Sequence, residues 1–230
     1  MAFFTSNTLR PLLLFPMLFV FHSSHAALPD AATILSDMVE RYGGAEALDK
    51  LNGPYKQFWD LVALTSNEKG TDQRTIDLPN KLIVELTYPS KSEKRILDGD
   101  SGEKIYNKAR HITVKGPGLM AMKLQRMRLY NPLLLQNIAN KITTAEGEDG
   151  HYKLTLHEEA LTTTYYVNRK TLLIDKVTGT LEMNGNAMTF MTEYHDYKSV
   201  EGVMLPHKEV KYVGTINTAV LTLQKTQFGG

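Results

Sequence analysis

From Tyr55 onward, apolar residues return at every second position in short segments with turn residues between them. This period constrains the fold more than any other feature of the chain, because it puts alternate side chains on opposite faces of a strand. Phe58 to Thr65 reads as a strand closed by Asn67-Glu68-Lys69-Gly70, and Leu82, Val84, Leu86 and Tyr88 alternate up to Pro89. Arg95 to Leu97 leads into Asp98-Gly99-Asp100-Ser101-Gly102, and Ile105, then Ile112 with Val114, continue to Gly116-Pro117-Gly118. Further on, Tyr152, Leu154 and Leu156 alternate with Lys153 and Thr155, and Asn168-Arg169-Lys170-Thr171 joins Tyr165–Val167 to Leu172–Val177. Thr180–Met183, Met188–Tyr197 and a long Pro206–Gln227 segment broken near Gly214 complete the set. The pattern predicts a mainly β protein with helices (α+β), whose roughly ten or eleven antiparallel strands curl into a barrel or half-barrel with sequential strands as neighbours.

Two stretches depart from the twofold period. Asp30 is placed to cap a helix whose Ile34, Leu35, Met38, Val39 and Tyr42 share one face; Gly43-Gly44 ends it, and a short turn bearing Ala45, Leu48 and Leu51 follows. Between Leu119 and Asn140 the apolar residues are too dense for a half-exposed strand, and Pro132 divides the stretch into two helical pieces.

The first residues read as a secretory leader. Arg10 precedes an uncharged apolar run from Leu12 to Phe21, which is too short to span a bilayer, and Ser24-His25-Ala26 supplies small residues for a cut after Ala26. Residues 1–26 are therefore expected to be removed, leaving 27–230 as one domain in a Gram-negative periplasm. The chain has Cys 0, which excludes a disulfide framework, a thiolate metal site, a thiol nucleophile and a lipobox anchor. With Lys+Arg 26 against Asp+Glu 25, no electrostatic footprint for nucleic acid is present.

No catalytic set emerges. His151 and His157 are separated by roughly 20 Å at strand rise and cannot share a metal. His157-Glu158-Glu159 lacks the second histidine of a zinc helix, and His195 beside Asp196 reads as a strand histidine in a local hydrogen bond. The Asp98–Gly102 turn lacks the later ligands of a calcium loop and reads as a hairpin. No nucleophile elbow, phosphate loop or dinucleotide fingerprint occurs, so neither catalysis nor a metal or cofactor is expected.

The informative constellation is apolar and adaptable. Met120, Met122, Leu124, Met127 and Leu133 crowd into a stretch whose charged members, Lys123, Arg126 and Arg128, are all basic. Methionine suits surfaces that must fit ligands of variable shape. The same helices can equally be a permanent plug of the sheet. Gly116-Pro117-Gly118 is a candidate hinge for a helical lid, and Arg126 and Arg128 are candidates for meeting an acidic head group. Trp59 and Leu61 lie on one face of the first strand while Phe58, Val62 and Leu64 lie on the other, so part of that strand must be covered by helices or by ligand.

Three stretches carry a resemblance: Ile34 to Leu51 with its Tyr42-Gly43-Gly44, the Asp98–Gly102 turn, and the terminal pattern Phe190, Tyr197, Val200-Glu201-Gly202-Val203 and Leu205-Pro206. In these and in the order of its elements the chain resembles a divergent branch of the outer-membrane lipoprotein-sorting superfamily (LolA, LolB and RseB-like proteins). The resemblance implies an unclosed antiparallel β-barrel whose helices lid an apolar cavity. It also implies a non-catalytic role in binding lipids or the acyl chains of lipoproteins, and no individual residue is transferred by identity. The missing lipobox cysteine excludes the lipid-anchored receptor role and leaves a soluble carrier or sensor, expected as a monomer. A lipocalin is disfavoured because Gln57 stands where a glycine is expected two residues before Trp59. Two function classes follow: an acyl-chain carrier or binding protein lined by Trp59, Leu61 and the Met120–Ile138 region, or an envelope sensor or assembly partner that grips a protein segment.

Overall fold

The computed structural model describes Met1 and residues 28–183 and 185–229; the leader and its cut after Ala26 lie outside the described residues. Chain order begins with helix α1 (Ala31–Arg41) and the short α2 (Gly44–Leu48). Strands β1 (Tyr55–Ala63), β2 (Glu68–Asp77), β3 (Lys81–Thr87), β4 (Ser92–Asp98), β5 (Ser101–Tyr106) and β6 (Arg110–Val114) follow. Helices α3 (Gly116–Met127) and α4 (Pro132–Asn137) come next. The rest is β7 (Ile142–Glu146), β8 (His151–Glu158), β9 (Leu161–Asn168), β10 (Ile174–Met183), β11 (Asn186–His195), the small pair β12 (Lys198–Val200) and β13 (Val203–Leu205), β14 (Lys208–Val213) and β15 (Ile216–Phe228).

Thirteen strands form one antiparallel sheet in the order β6-β5-β4-β3-β2-β1-β15-β14-β11-β10-β9-β8-β7, and β12 with β13 make a separate hairpin. Among the described residues β6 and β7 each have a single neighbour, so the sheet does not close. The chain crosses that open seam through α3 and α4. As expected, sequential strands pair; the additional join, β1 to β15, brings the two ends of the domain together in mid-sheet.

The strand count exceeds the expected ten or eleven for identifiable reasons. Strand β2 goes unread apart from the turn at Asn67–Gly70, because its inward residues Asp72 and Arg74 are charged and leave little apolar alternation. Thr180–Met183 is not a separate strand; it continues β10 through Gly179. Strand β7 contains only Ile142 as a buried residue, and β12 and β13 are three residues each, too short for a period to register.

Helix α1 forms where the spacing places it. Asp30 Oδ1 accepts the Thr33 N–H at 2.8 Å, satisfying one of the free donors of the first turn. Ile34, Leu35, Met38 and Val39 are at most 4% exposed and pack toward α4 and the inner face of the sheet, at roughly 1.5–3 kcal/mol per buried side chain. Gly43 and Gly44 follow at φ +120° and +82°, a conformation costly to residues with a Cβ, and the helix stops. Of the next turn, Leu48 and Leu51 are buried whereas Ala45 is exposed.

Two tyrosines, Tyr42 buried and Tyr197 partly so, then lock α1 to the sheet. The Tyr197 hydroxyl donates to Ile174 O at 2.7 Å, while that of Tyr42 accepts the Ile174 N–H at 3.1 Å. The 3.2 Å contact between the two hydroxyls is therefore donated by Tyr42, and every polar atom of the group is satisfied. Burial pushes the Tyr42 pKa up to about 12.

Candidate functional site: a cationic cleft beside a helix in the half-barrel

Helix α3 lies within the hollow of the sheet, touching β5 on one arm and β9 and β10 on the other. Two glycines permit this approach. A Cβ at Gly179 of β10 would come within 2.8 Å of Leu124 Cγ and 2.9 Å of Arg128 Cδ, and one at Gly102 of β5 within 2.9 Å of Leu119 Cδ1. Both contacts are closer than carbon atoms tolerate, so the helix seat depends on the missing side chains.

The helix is tied to the two arms by different means. On the carboxy-terminal arm, Tyr194 donates to Arg128 O at 3.1 Å and Tyr165 to Met127 O at 2.6 Å, the latter carbonyl also accepting the Tyr130 N–H at 3.1 Å. On the amino-terminal arm, Arg126 Nη1 donates to Asn80 O and Gly99 O, both at 3.1 Å, and Lys123 pairs with Asp100. Asn131 Oδ1 accepts the Leu134 N–H at 2.8 Å and starts α4 behind Pro132, as the proline spacing predicts.

Beneath the helix the sheet floor carries charge. Arg74 of β2 is 1% exposed and meets Glu209 of β14 through two 2.8 Å hydrogen bonds. Its other edge meets Asp72 at 2.9 and 3.2 Å, and its guanidinium stands 4.8 Å from the Trp59 ring centre. Lys211 Nζ adds weaker contacts at 3.5 Å to Glu209 and 3.7 Å to Asp72. Burial opposes the Arg74 charge, but the two carboxylates outweigh it and hold its pKa well above the ordinary value. Burial would raise the Glu209 carboxyl; Arg74 and Lys211 overcome that and pull it down to about 2. This cluster divides the interior, leaving Trp59, Leu61, Leu221 and Leu223 as an apolar group apart from the main core.

A cleft of about 360 Å³ opens between α3 and the sheet. Ala121, Met122, Phe190 and Val213 supply apolar surface, and Arg95, Lys104, Arg128 and Lys211 supply charge. A smaller cleft of about 80 Å³ lies toward α1, with Trp59, Arg128, Tyr42 and Tyr194 in its wall.

The residues singled out from the sequence therefore occupy distinct places. Arg128 borders both clefts, Met122 the larger and Trp59 the smaller. Leu61, Leu124 and Met127 are at most 4% exposed and border neither, while Met120 and Leu133 are half-buried against the core. Arg126 faces the backbone carbonyls of the amino-terminal arm. Sequence reasoning missed the Asp72–Arg74–Glu209–Lys211 group; the sign in the sequence was that Asp72 and Arg74 share the parity of buried Ile76.

The histidines sit apart. His151 Nε2 is 2.9 Å from Asp175, His157 Nδ1 is 3.0 Å from the Thr162 hydroxyl, and His195 Nε2 is 3.7 Å from Glu193. The Asp98–Gly102 segment is the β4–β5 hairpin. Among the described residues no group of three or more His, Cys, Asp or Glu is arranged to hold a metal ion, and no helix is long and apolar enough to cross a membrane.

No family model matches the sequence. No curated protein matches it either. Among solved structures, a LolA superfamily protein from Nitrosomonas europaea superposes with a TM-score of 0.55 at 13% identity, covering 88% of this chain and 95% of that one. A putative outer membrane lipoprotein-sorting protein domain from Vibrio parahaemolyticus gives 0.49 at 10% identity over 86% and 91% of the two chains. A DUF1329 family protein from Desulfovibrio piger gives 0.49 at 9% over 87% and 94%. The fold assignment rests on the first: the chain has a LolA-like fold.

Proposed function

We propose that the chain is a soluble periplasmic carrier or binding protein for acyl chains of lipids or lipoproteins, acting as a monomer and without catalysis once its leader is removed. The observation that carries this reading is the 360 Å³ cleft between an unclosed sheet and a helix held to one arm mainly by polar contacts at its surface. Its volume falls in the lower part of the range typical of small-molecule sites, about 300–1,000 Å³. Each buried methylene contributes about 0.8 kcal/mol, so covering part of one alkyl chain is enough for useful affinity. Met122 gives that wall adaptability. The shared fold supports the same reading, since the Nitrosomonas europaea structure it resembles is a LolA superfamily protein.

Native mass spectrometry of the protein isolated from the periplasm, followed by lipid extraction, tests the proposal. Co-purifying acyl ligand is expected. Protein that is consistently empty, and that also ignores fluorescent fatty acids, would sink it.

A second reading, an envelope sensor or assembly partner, draws on one observation. Among the described residues β6 and β7 each leave one edge unpaired, and an extended protein segment can add there as a further strand. Capture of a stable protein partner without lipid would favour it.

A further inference from the structure

Resting on the carrier reading, we propose that the cleft beside α3 selects amphiphiles with an anionic head, a carboxylate or phosphate monoester, seated among Arg128, Lys211, Arg95 and Lys104 with its alkyl tail along Met122 and Phe190.

Charge accounting within the cleft leads there. Its lining includes those four cations and no carboxylate. Behind the wall, Glu93 serves both Arg95, at 2.7 Å, and Lys104, at 3.7 Å. Asp72 and Glu209 are engaged by Arg74 at 2.8–3.2 Å, which leaves Lys211 only their longer contacts at 3.5 and 3.7 Å. Among the described residues no carboxylate lies within ion-pair distance, 4 Å, of Arg128, although Glu209 acts on it from farther off. The contacts of Arg128 are the Thr192 hydroxyl at 3.3 Å and the Phe190 ring at 5.6 Å, and its shielded Nε has no acceptor.

A guanidinium so placed loses solvation without recovering it from an ion pair. Burial lowers the pKa of Arg128, and burial together with the Arg74 charge lowers that of Lys211. An anion entering the cleft would relieve both. Arg128 offers parallel N–H donors that match a carboxylate or phosphate edge, and Lys211 adds a compact charge beside it. Apolar Ala121, Met122, Phe190 and Val213 border the same space, so the chemistry that fits is a head and a tail together. A free inorganic anion would use only the cationic half.

Titration calorimetry with dodecanoate, dodecyl phosphate and dodecanol below their aggregation concentrations, and with acetate and inorganic phosphate alone, tests this. The charged amphiphiles are expected to bind at least about tenfold tighter than dodecanol, weakening with added salt, while acetate and phosphate fail to saturate at millimolar concentration. Arg128→Gln should lower dodecanoate affinity about tenfold and leave dodecanol within about twofold. Lys104→Gln, at a partly exposed position that pairs with Glu93 and not with the buried ion cluster, should give a smaller loss of the same sign and serves if Arg128→Gln fails to fold. Equal affinity for dodecanoate and dodecanol, reduced alike by the variants, overturns the anionic head while leaving the carrier reading in place. Phosphate binding as tightly as dodecyl phosphate, or no binding of any alkyl compound, overturns both.

Discussion

Arg74 and Glu209 meet through two parallel 2.8 Å hydrogen bonds, although β1 and β15 lie between their strands in the sheet. The long guanidinium reaches across the concave floor, over the Trp59 ring, and ties two non-neighbouring strands together. A sheet that does not close has no ring of hydrogen bonds to fix its curvature, so a bridge across its inner face takes on part of that task. The finding also alters the picture of the interior, which is a main apolar core, a charged belt and a small second apolar cluster.

Removing one member of that belt strands the others. Arg74→Met should cost about 3–5 kcal/mol, because Asp72 and Glu209 would remain buried with only Lys211 near them. Replacing Asp72, Arg74 and Glu209 together by apolar residues of similar volume should cost far less, since the desolvation of all three charges is then avoided. Urea midpoints of the two variants decide the matter; a single variant as stable as the triple one would refute the bridge.

Acid should weaken the same belt in a defined window. The Glu209 carboxyl is held at about 2 against an ordinary 4.5, so the folded chain binds that proton more weakly than the unfolded chain. Its contribution is complete above pH 4.5 and fades as pH falls toward 2, on the order of 3 kcal/mol in all. The advantage of the parent over Glu209→Gln should therefore shrink through that window. Unfolding free energies of both proteins at pH 6, 4 and 3 measure it, and a constant difference would contradict the assignment.

Gly179 and Gly102 test the helix seat from opposite arms. A methyl at Gly179 meets Leu124, fully buried, and the Arg128 stem, whereas one at Gly102 meets the end of Leu119, which is partly exposed. Gly179→Ala should cost about 1–3 kcal/mol and Gly102→Ala distinctly less, because only the second contact is with a side chain free to move. Thermal or urea unfolding ranks the pair.

What the sequence made legible follows the same physical divide. Asp30, the Leu35 and Met38 face, Gly43-Gly44 and Pro132 act through local geometry, and each was readable as a cap, a core face or a stop. The twofold period located strands whose inner face is apolar, such as β3 with Leu82 and Val84 and β8 with Leu154 and Leu156. It was silent on β2 because Asp72 and Arg74 point inward and find partners on β14, 135 residues away for Arg74 and Glu209. Pairing over that distance leaves no spacing to recognise. The cleft was half legible for a related reason: Met122 and Arg128 belong to a conspicuous segment, whereas Arg95, Lys104 and Lys211 are isolated basic residues on ordinary strands until the sheet curls.

The unequal ties on α3 imply a direction of opening. On the carboxy-terminal arm the helix is held by Gly179, by fully buried Tyr165 and by Tyr194; on the other, Arg126 and Lys123 reach backbone carbonyls and Asp100 near the surface. Exposed polar contacts are worth a fraction of a kcal/mol to about 1 kcal/mol, whereas a buried carbonyl deprived of its donor costs about 1–3 kcal/mol. The helix should thus part first from β4 and β5 and pivot on β9 to β11. Arg126→Ala is expected to change global stability by less than about 1 kcal/mol while speeding both amide exchange in α3 and the entry of a fluorescent fatty acid. Tyr165→Phe should instead lower global stability by about 0.5–1.5 kcal/mol without speeding entry, because Met127 O loses its buried hydroxyl donor and keeps only the Tyr130 N–H. Hydrogen exchange and stopped-flow fluorescence on the two variants separate the effects. If Arg126→Ala left exchange and entry unchanged, the amino-terminal contacts would not be the latch.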